Sequence, residues 1–148
     1  MYQKYIEDLR EKKLSNSSVS RFASIQLLEL YEEVKRRTNP LIVELGVDKG
    51  LSTRVFLNAI NEEKDSKLIS IDISDCSKVC KSKKWKFIQS NSLDIEKILI
   101  KCPEIIRKGI DILYIDSLHI VEHVEKEFYL YFPYMNKNST IFFDDVDS

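Results

Sequence analysis

A strand, a tight glycine turn and a helix follow one another in residues 41–60, and this succession constrains the fold of the chain more than any other feature. The apolar segment Leu41–Leu45 predicts a buried strand, and apolar residues recur at helical spacing over Leu51–Ile60. Between them lie Gly46 and Gly50, two of only three glycines in the sequence. Glycine has no Cβ, and the first N–H groups of a helix have no partner inside the helix. Such a turn is typical of a surface that a nucleotide-like ligand approaches closely.

The residues within the turn indicate which ligand to expect. The pattern is Glu44-x-Gly46-x-x-x-Gly50, whereas dinucleotide-binding folds use Gly-x-Gly-x-x-Gly beneath a pyrophosphate. The acidic side chains of Glu44 and Asp48 would repel a pyrophosphate and would suit a ligand that carries an ammonium or sulfonium charge. The alternative interpretation is a structural strand-to-helix turn that binds nothing.

Length and composition exclude several classes of protein. A chain of 148 residues predicts one domain with a single core, and a net charge of −1 argues against a nucleic-acid-binding surface. There is no apolar run near about 18 residues, and the charged N-terminus is unlike a signal peptide. Three cysteines without a Cys-x-x-Cys pair indicate reduced thiols and argue against a zinc site. We therefore expect a cytoplasmic protein with neither membrane nor nucleic-acid partners.

Strand and helix patterns alternate along the chain with short connections. This alternation predicts an α/β fold with a doubly wound, mostly parallel sheet that is covered on both faces. We expect an N-terminal helical segment over residues 1–38 that packs on an α/β domain over residues 39–148. The predicted elements are a short helix over Tyr2–Leu9, a helix over Ala23–Arg36, a strand over Leu41–Leu45, a helix over Leu51–Ile60, strands over Lys67–Ile73 and Lys86–Ser90, a helix over Ser92–Cys102, a strand over Asp111–Asp116, a helix over Ile120–Tyr131, a turn over Asn136–Ser139 and a strand over Thr140–Phe143.

Acidic residues stand at the ends of four of the five predicted strands: Glu44, Asp72, Asp116 and the pair Asp144 and Asp145. Ligands of such sheets bind beyond the carboxyl ends of the strands, so we expect these side chains to project toward one crevice. Asp72 lies about twenty residues past the turn, a spacing that suits hydrogen bonds to ribose hydroxyls. A nicotinamide cofactor would use it in the same way. Each acid taken alone is equally explained as a helix cap.

Five segments carry a resemblance to a known family, in this order: VELGVDKGLST, LISIDIS, FIQSNSLD, IDILYIDSLHIVEHVEKEF and STIFFDDV. Together they resemble class I S-adenosylmethionine-dependent methyltransferases. The resemblance is to the small-molecule O-methyltransferases related to macrocin O-methyltransferase and to cephalosporin-hydroxylase-like proteins. It covers roughly residues 40–146, and it implies a Rossmann-like sheet.

The resemblance also implies a set of cofactor-binding residues. They are Glu44, Gly46 and Gly50 for the methionine part of S-adenosylmethionine, Asp72 for its ribose, Asn91 and Ser92 for its adenine, and Asp116 facing the methyl group. Ser52 is a further expected cofactor-binding residue. The family often has an acid where Asn91 stands, and an asparagine can still hydrogen-bond the exocyclic amine.

Metal-dependent relatives bind one Mg²⁺ through an acid after the fourth strand and an acidic pair after the fifth. Asp116, Asp144 and Asp145 match that arrangement, and hard oxygen ligands suit Mg²⁺. The alternative is that Asp144 and Asp145 only cap a turn. His119, three residues past Asp116, is a candidate general base or substrate-orienting residue, or a plain helix-start residue. His123 is expected to face solvent.

The resemblance implies methyl transfer to a hydroxyl of a small molecule, with Asp116 and His119 as candidate catalytic residues. Two alternatives stay open: an NAD(P)-dependent oxidoreductase, and a non-catalytic ligand-binding or assembly module derived from a methyltransferase. The family's sheet normally has seven strands, and the last two are missing from the predicted set. We therefore expect a fragment, a reduced fold, or a sheet edge completed by another chain, for example in a homo-oligomer.

Overall fold

The computed structural model describes residues 18–62, 64–117 and 120–144. Within them, helices and strands alternate much as the sequence predicts. The elements are α1 (Ser18–Lys35), β1 (Leu41–Leu45), α2 (Leu51–Ile60), β2 (Lys67–Asp72), β3 (Trp85–Gln89), α3 (Ile95–Lys101), α4 (Glu104–Lys108), β4 (Ile110–Ile115), α5 (Val121–Tyr131), a single 3₁₀ turn (Phe132–Tyr134) and β5 (Met135–Phe143). The helix predicted over Tyr2–Leu9 lies outside the described residues.

The five strands form one parallel sheet in the order β3-β2-β1-β4-β5. This order confirms the doubly wound α/β fold. The chain leaves β1 toward β2 on one side and later returns to β4 on the other side. A crevice therefore opens between the connections that follow β1 and β4, at the carboxyl ends of the strands.

Alternation along β1 distributes its side chains between two cores. Every residue of β1 is buried, as expected for a strand inside a parallel sheet. Ile42 packs into the core on the α1 and α2 face, whereas Leu41, Val43 and Leu45 pack into the core on the opposite face. Helices α3 to α5 supply side chains to that second core, so both faces of the sheet are covered. None of the helices in the described ranges has the length and hydropathy needed to cross a membrane.

The helix predicted over Ser92–Cys102 is shorter than expected and is followed by a second one. The Asn91 carboxamide oxygen accepts a hydrogen bond from the backbone N–H of Leu93, so the chain first makes a turn. Asp94 then caps α3 by accepting from the N–H of Lys97. Pro103 separates α3 from α4, the short helix that the sequence analysis missed.

The predicted turn over Asn136–Ser139 is wrong, because these residues belong to β5. The pairing of β4 with β5 shifts register between Ile110, opposite Met135, and Ile112, opposite Thr140. The additional β5 residues form an irregularity within the strand. Polar composition misled the prediction, since these side chains tie the strand to its neighbours: Asn136 Nδ2 donates to Asp111 Oδ1 at 2.8 Å.

Candidate functional site

The β1–α2 turn has the geometry that its two glycines permit. Gly46 has φ +102° and Gly50 has φ +83°, conformations that L side chains rarely adopt. A Cβ on Gly46 would lie 2.2 Å from the backbone oxygen of Asp116, and a Cβ on Gly50 would lie 2.2 Å from Val79 Cγ1. Gly46 is therefore required by the close approach of the turn to the end of β4, whereas Gly50 meets only side-chain atoms and is favoured chiefly by its positive φ.

Asp72, at the end of β2, fastens this turn. Its Oδ2 accepts hydrogen bonds from the backbone N–H groups of Val47 at 2.8 Å and Asp48 at 3.2 Å, and its Oδ1 accepts from Ser74 at 2.9 Å. Desolvation works against the charge, yet these bonds and one from the Cys76 thiol hold the pKa of Asp72 below its usual range. Asp72 is thus an ionised acceptor at the centre of the site.

Glu44 lies beneath the turn and not in the crevice. Its position in β1 directs the side chain toward α2, where it is fully buried. Ser52 Oγ donates to Oε2 at 2.5 Å, while Thr53 Oγ1 and Ser70 Oγ donate to Oε1 at 2.7 Å each. Burial raises the pKa of Glu44 to about 7 against the effect of the three hydroxyls. The expectation that Glu44 projects toward the crevice is wrong, because strand alternation turns it into the core.

The larger cavity of the site, about 490 Å³, lies beyond β1, β2, β3 and β4. It is lined by Gly46, Val47, Asp48, Ile71, Asp72, Ile73, Ser74, Cys76, Ser90, Asn91, Ser92, Asp116, Ser117 and His123. Five of the predicted cofactor-binding residues meet here: Gly46, Asp72, Asn91, Ser92 and Asp116. Its volume falls within the range of about 300–1,000 Å³ that small-molecule sites occupy.

The smaller cavity, about 300 Å³, adjoins it on the side of β5 and α1. It is lined by Gln26, Leu27, Glu29, Leu30, Val47, Asp48, Lys49, Leu51, Ser52, Tyr114, Asp116, Phe142, Phe143 and Asp144. Three predicted site residues occur in this wall: Ser52, Asp116 and Asp144. Val47, Asp48 and Asp116 line both cavities, so the turn and the end of β4 form a shared boundary.

Tyr114 links the acids of the smaller cavity. Burial raises the pKa of its phenol well above the usual range, and the charges of Asp116, Asp144 and Glu44 add to the effect. The phenol therefore keeps its proton in the cavity that it shares with Asp116 and Asp144. Within the described ranges no three metal-ligating side chains form a group. Asp145 and His119, two of the predicted site residues, lie outside those ranges.

Sequence reasoning missed several residues of the site. His123, expected to face solvent, lines the larger cavity with a side chain only 15% exposed and lies beside the buried Glu127. The signal for Glu127 was its place on the helical stripe between Val124 and Tyr131, both of which are buried. Ile120, predicted to belong to that stripe, is 58% exposed, because the chain is still extended there.

A family model for a methyltransferase domain matches residues 43–146, which include β2 to β5 and all but the first two residues of β1. This chain belongs to that methyltransferase family. The match favours the methyltransferase interpretation of the glycine turn over the nicotinamide one. Among proteins of curated function, none matches the chain in sequence.

Solved structures of methyltransferases share the fold of this domain. MycE, a methyltransferase of the mycinamycin biosynthetic pathway solved with Mg and SAH, matches with a TM-score of 0.66 and 20% identity. CalS11, a TDP-rhamnose 3′-O-methyltransferase of calicheamicin biosynthesis, matches with a TM-score of 0.67 and 15% identity. The matches cover 92% and 99% of this chain. They cover 38% of the MycE chain and 77% of the CalS11 chain, so this methyltransferase spans less than half the length of MycE.

Proposed function

We propose that this methyltransferase binds S-adenosylmethionine in the larger cavity and transfers its methyl group to a hydroxyl of a small molecule in the smaller cavity. The observation that carries the proposal is the shared boundary of the two cavities. One has the ionised Asp72 and the polar Asn91 and Ser92 around it, and the other has the acids Asp116 and Asp144. Family membership supports the reaction type, and the relatives MycE and CalS11 support a small-molecule acceptor.

The residues of the larger cavity fit the adenosyl group. Four protein donors already surround the carboxylate of Asp72, and the Cys76 thiol is the weakest of them. A ribose hydroxyl would replace that thiol without loss of the contacts that hold the turn. Asn91 and Ser92 would then lie against the adenine.

The methionine part would extend from the larger cavity across the shared boundary at the turn, where Gly46 lies close to the end of β4. Ser52 bonds to the buried Glu44 and also lines the smaller cavity. Its hydroxyl proton is directed to the Glu44 carboxylate, so its oxygen offers lone pairs to the smaller cavity. Through Ser52, the buried acid favours ligand groups that donate hydrogen bonds, such as an ammonium.

In the transfer, a bond forms between the acceptor oxygen and the methyl carbon while the bond from that carbon to sulfur breaks. The sulfur keeps the electron pair, and S-adenosylhomocysteine leaves. The hydroxyl proton passes to a base at the sheet edge, for which Asp116 and His119 are the candidates. The protein contributes chiefly by orienting the two ligands across the shared boundary.

We further propose Mg²⁺ in the smaller cavity, held by Asp116, Asp144 and Asp145. Carboxylate oxygens suit this ion, and the structure of the relative MycE contains Mg. A bound Mg²⁺ would make a coordinated acceptor hydroxyl more acidic. The protonated phenol of Tyr114 lines the same cavity as two of these acids, Asp116 and Asp144.

Calorimetric titration with S-adenosylmethionine, S-adenosylhomocysteine and NAD tests the proposal. We expect micromolar binding of both adenosyl ligands and weaker binding of NAD. Asp72→Asn should weaken adenosyl binding by about 1–3 kcal/mol, because an amide nitrogen cannot accept a hydrogen bond from ribose. Asp75→Asn, the same change on an exposed acid three residues further on, is the matched control.

Tighter binding of NAD, or no binding of either adenosyl ligand by folded protein, would overturn the proposal. A urea titration of Asp72→Asn and Asp75→Asn gives the free energy of unfolding of each variant. A loosened turn would lower this free energy, whereas the loss of a ligand contact alone would leave it unchanged. Adenosyl binding without transfer to any hydroxylated acceptor would favour the non-catalytic alternative.

A further inference from the structure

The smaller cavity has an apolar wall for which the proposed transfer gives no reason. Half of the side chains that line it are apolar or aromatic. Among them, Leu30 is 3% exposed and Tyr114 is 6% exposed, and the ring of Phe56 packs edge-on against Tyr114 with the centroids 5.6 Å apart. The cavity therefore has a firm apolar base beside the acids Asp116 and Asp144.

Two large apolar side chains of the same wall are exposed to solvent. Leu51 is 56% exposed and Phe143 is 48% exposed, and both line the smaller cavity. Leu51 is the first residue of α2, just before the residues that this helix buries, and Phe143 is the last residue of β5. Exposed apolar surface costs free energy, and apolar side chains around a cavity are typical of contacts with a ligand. We call Leu51 and Phe143 the apolar rim of the smaller cavity.

The Phe143 side of the apolar rim is supported by other aromatic rings. The ring centroid of Phe143 lies 6.4 Å from that of Phe128, which lies 5.4 Å from that of Phe132. Phe132 is 57% exposed, so apolar surface continues from the cavity toward the carboxyl end of α5. Aromatic side chains offer a large contact area at a low cost in conformational entropy. A molecule whose hydroxyl reaches the acids can therefore extend onto this surface.

We propose that the methyl acceptor carries a sizeable apolar body, which lies on Leu51 and Phe143 while its hydroxyl lies near Asp116. The inference rests on the proposed function, because it assumes that the acceptor occupies the smaller cavity. An apolar body removes both side chains of the rim from water, and this burial contributes affinity in proportion to the area covered. The hydroxyls of a free sugar or a small polyol would lose water at the rim without gaining a hydrogen-bond partner. The rim therefore selects apolar hydroxylated compounds over free polyols.

A series of diols tests the inference, since 1,2-butanediol, 1,2-hexanediol and 1,2-octanediol differ only in the length of their apolar chain. Each is titrated into the protein with S-adenosylhomocysteine and Mg²⁺ present, and NMR of the backbone amides gives both the binding site and the Kd. We expect shifts at Leu51 and Phe143, and at least about tenfold tighter binding of 1,2-octanediol than of 1,2-butanediol.

Substitution of the rim should reduce this preference. In Leu51→Gln the ratio of the two affinities should fall at least about threefold, because a polar side chain gains nothing from contact with the apolar chain. Ile100→Gln is the matched control and should keep the wild-type ratio. It makes the same kind of change at a residue of α3 that is 80% exposed and lines neither cavity.

Calorimetry with S-adenosylhomocysteine on the same proteins separates failure of the inference from failure of the proposed function. If S-adenosylhomocysteine binds but the diols bind equally or not at all, the inference is overturned and the proposed function stands. The same holds if the ratio is unchanged in folded Leu51→Gln. If folded wild-type protein does not bind S-adenosylhomocysteine, the proposed function itself is overturned. Should Leu51→Gln not fold, Phe143→Gln decides by the same ratio.

Two further outcomes would assign the apolar surface to something other than the acceptor. Diol shifts centred on Tyr129 of α5, or a ratio that falls equally in Ile100→Gln, would show unspecific apolar binding and overturn the inference. Shifts of the Leu51 and Phe143 amides when ligand-free protein is concentrated would assign the rim to a second copy of the chain and would also overturn it.

Discussion

Two fully buried glutamates, Glu44 and Glu127, lie on opposite sides of the sheet edge, and neither lines a cavity. Each accepts hydrogen bonds from hydroxyls, and one hydroxyl of each set reaches a cavity: Ser52 the smaller one and Ser117 the larger one. Burying a carboxylate is costly unless hydrogen bonds compensate it, so the hydroxyls are held firmly in place. Glu44 and Glu127 thus fix the orientation of two serines that line the cavities, Ser52 and Ser117.

Glu44 should make the free energy of unfolding depend on pH. Burial raises the folded-state pKa of Glu44 to about 7 from its ordinary value of 4.5. The folded protein therefore holds this proton more tightly than the unfolded chain, and the stabilisation is present below pH 4.5 and lost as pH rises through 7. Relative to Glu44→Gln, the wild-type free energy of unfolding should fall by up to about 3 kcal/mol between about pH 4 and pH 8.

Urea titrations of both proteins across that pH range provide the measurement. Glu125→Gln serves as a control for the general effect of removing one negative charge. If the free energies of unfolding of wild type and Glu44→Gln differed by the same amount at every pH, Glu44 would not titrate in this pH range.

The two glycines of the turn should differ in their tolerance of alanine. A Cβ at Gly46 meets the backbone oxygen of Asp116, which cannot move without displacing the end of β4. A Cβ at Gly50 meets the end of the Val79 side chain, which can rotate away. We expect Gly46→Ala to lower the free energy of unfolding by more than about 2 kcal/mol and Gly50→Ala by about 1 kcal/mol, chiefly from its positive φ.

Equilibrium unfolding in urea distinguishes the two glycine variants. If both variants lowered the free energy of unfolding equally, or if Gly50→Ala lowered it more, the close approach between the turn and β4 would be contradicted.

At the scale of elements, the ends of β4 and β5 bring Asp116 and Asp144 to one cavity, which Tyr114 of β4 also lines. The strands pair in register up to Ile115 and Phe143, so the residues that follow them are neighbours. Acids held together in this way repel one another unless a cation or a hydrogen-bond donor lies between them.

Mg²⁺ should therefore raise the melting temperature, by at least about 2 °C at saturation, relative to a chelator. The measurement is a thermal melt with S-adenosylhomocysteine present, repeated on Asp144→Asn and Asp145→Asn, with Asp75→Asn as the control. An unchanged melting temperature of the wild-type protein would mean that Asp144 and Asp145 only cap a turn. A shift that persists undiminished in both strand-end variants would place the ion elsewhere.

Most of the elements could be predicted because their signals are local. The apolar runs of β1, β2 and β4 and the helical periodicity of α2 depend on each segment alone. The turn predicted over Asn136–Ser139 failed because Asn136 bonds to the end of α4 and to β4, while Arg37 bonds to the Asn138 backbone, and these partners exist only in the folded protein. Helix α4 was missed because five residues are too few to show a period.

The site residues that could be predicted are likewise those whose position follows from local sequence signals. Asp72, Asn91 and Ser92 follow strands directly, so the fold class alone brings them to one crevice. His123 lines it, and Glu127 lies buried beside His123, only because α5 packs against the sheet, and one sequence does not show which face α5 presents. An acid within a buried helical stripe is the signal that would have found Glu127.

At the scale of the whole molecule, the amino ends and the carboxyl ends of the parallel strands have different roles. The amino-terminal edge is closed by Lys108, whose Nζ donates to the backbone oxygens of Asn39 at 2.5 Å and Asp65 at 2.9 Å. The carboxyl-terminal edge carries both cavities and the turn between them. The order β3-β2-β1-β4-β5 produces this asymmetry, because the connections after β1 and β4 diverge there.

The most direct test of the central claim is to map where S-adenosylhomocysteine binds, using two-dimensional NMR of the backbone amides during a titration. The account predicts saturable shifts for the amides that line the larger cavity, including Asp48, Ser92 and Ser117, while the amides around Lys108 at the opposite edge stay unchanged. Shifts centred on the amino-terminal edge, or a spectrum that S-adenosylhomocysteine leaves unchanged, would contradict it.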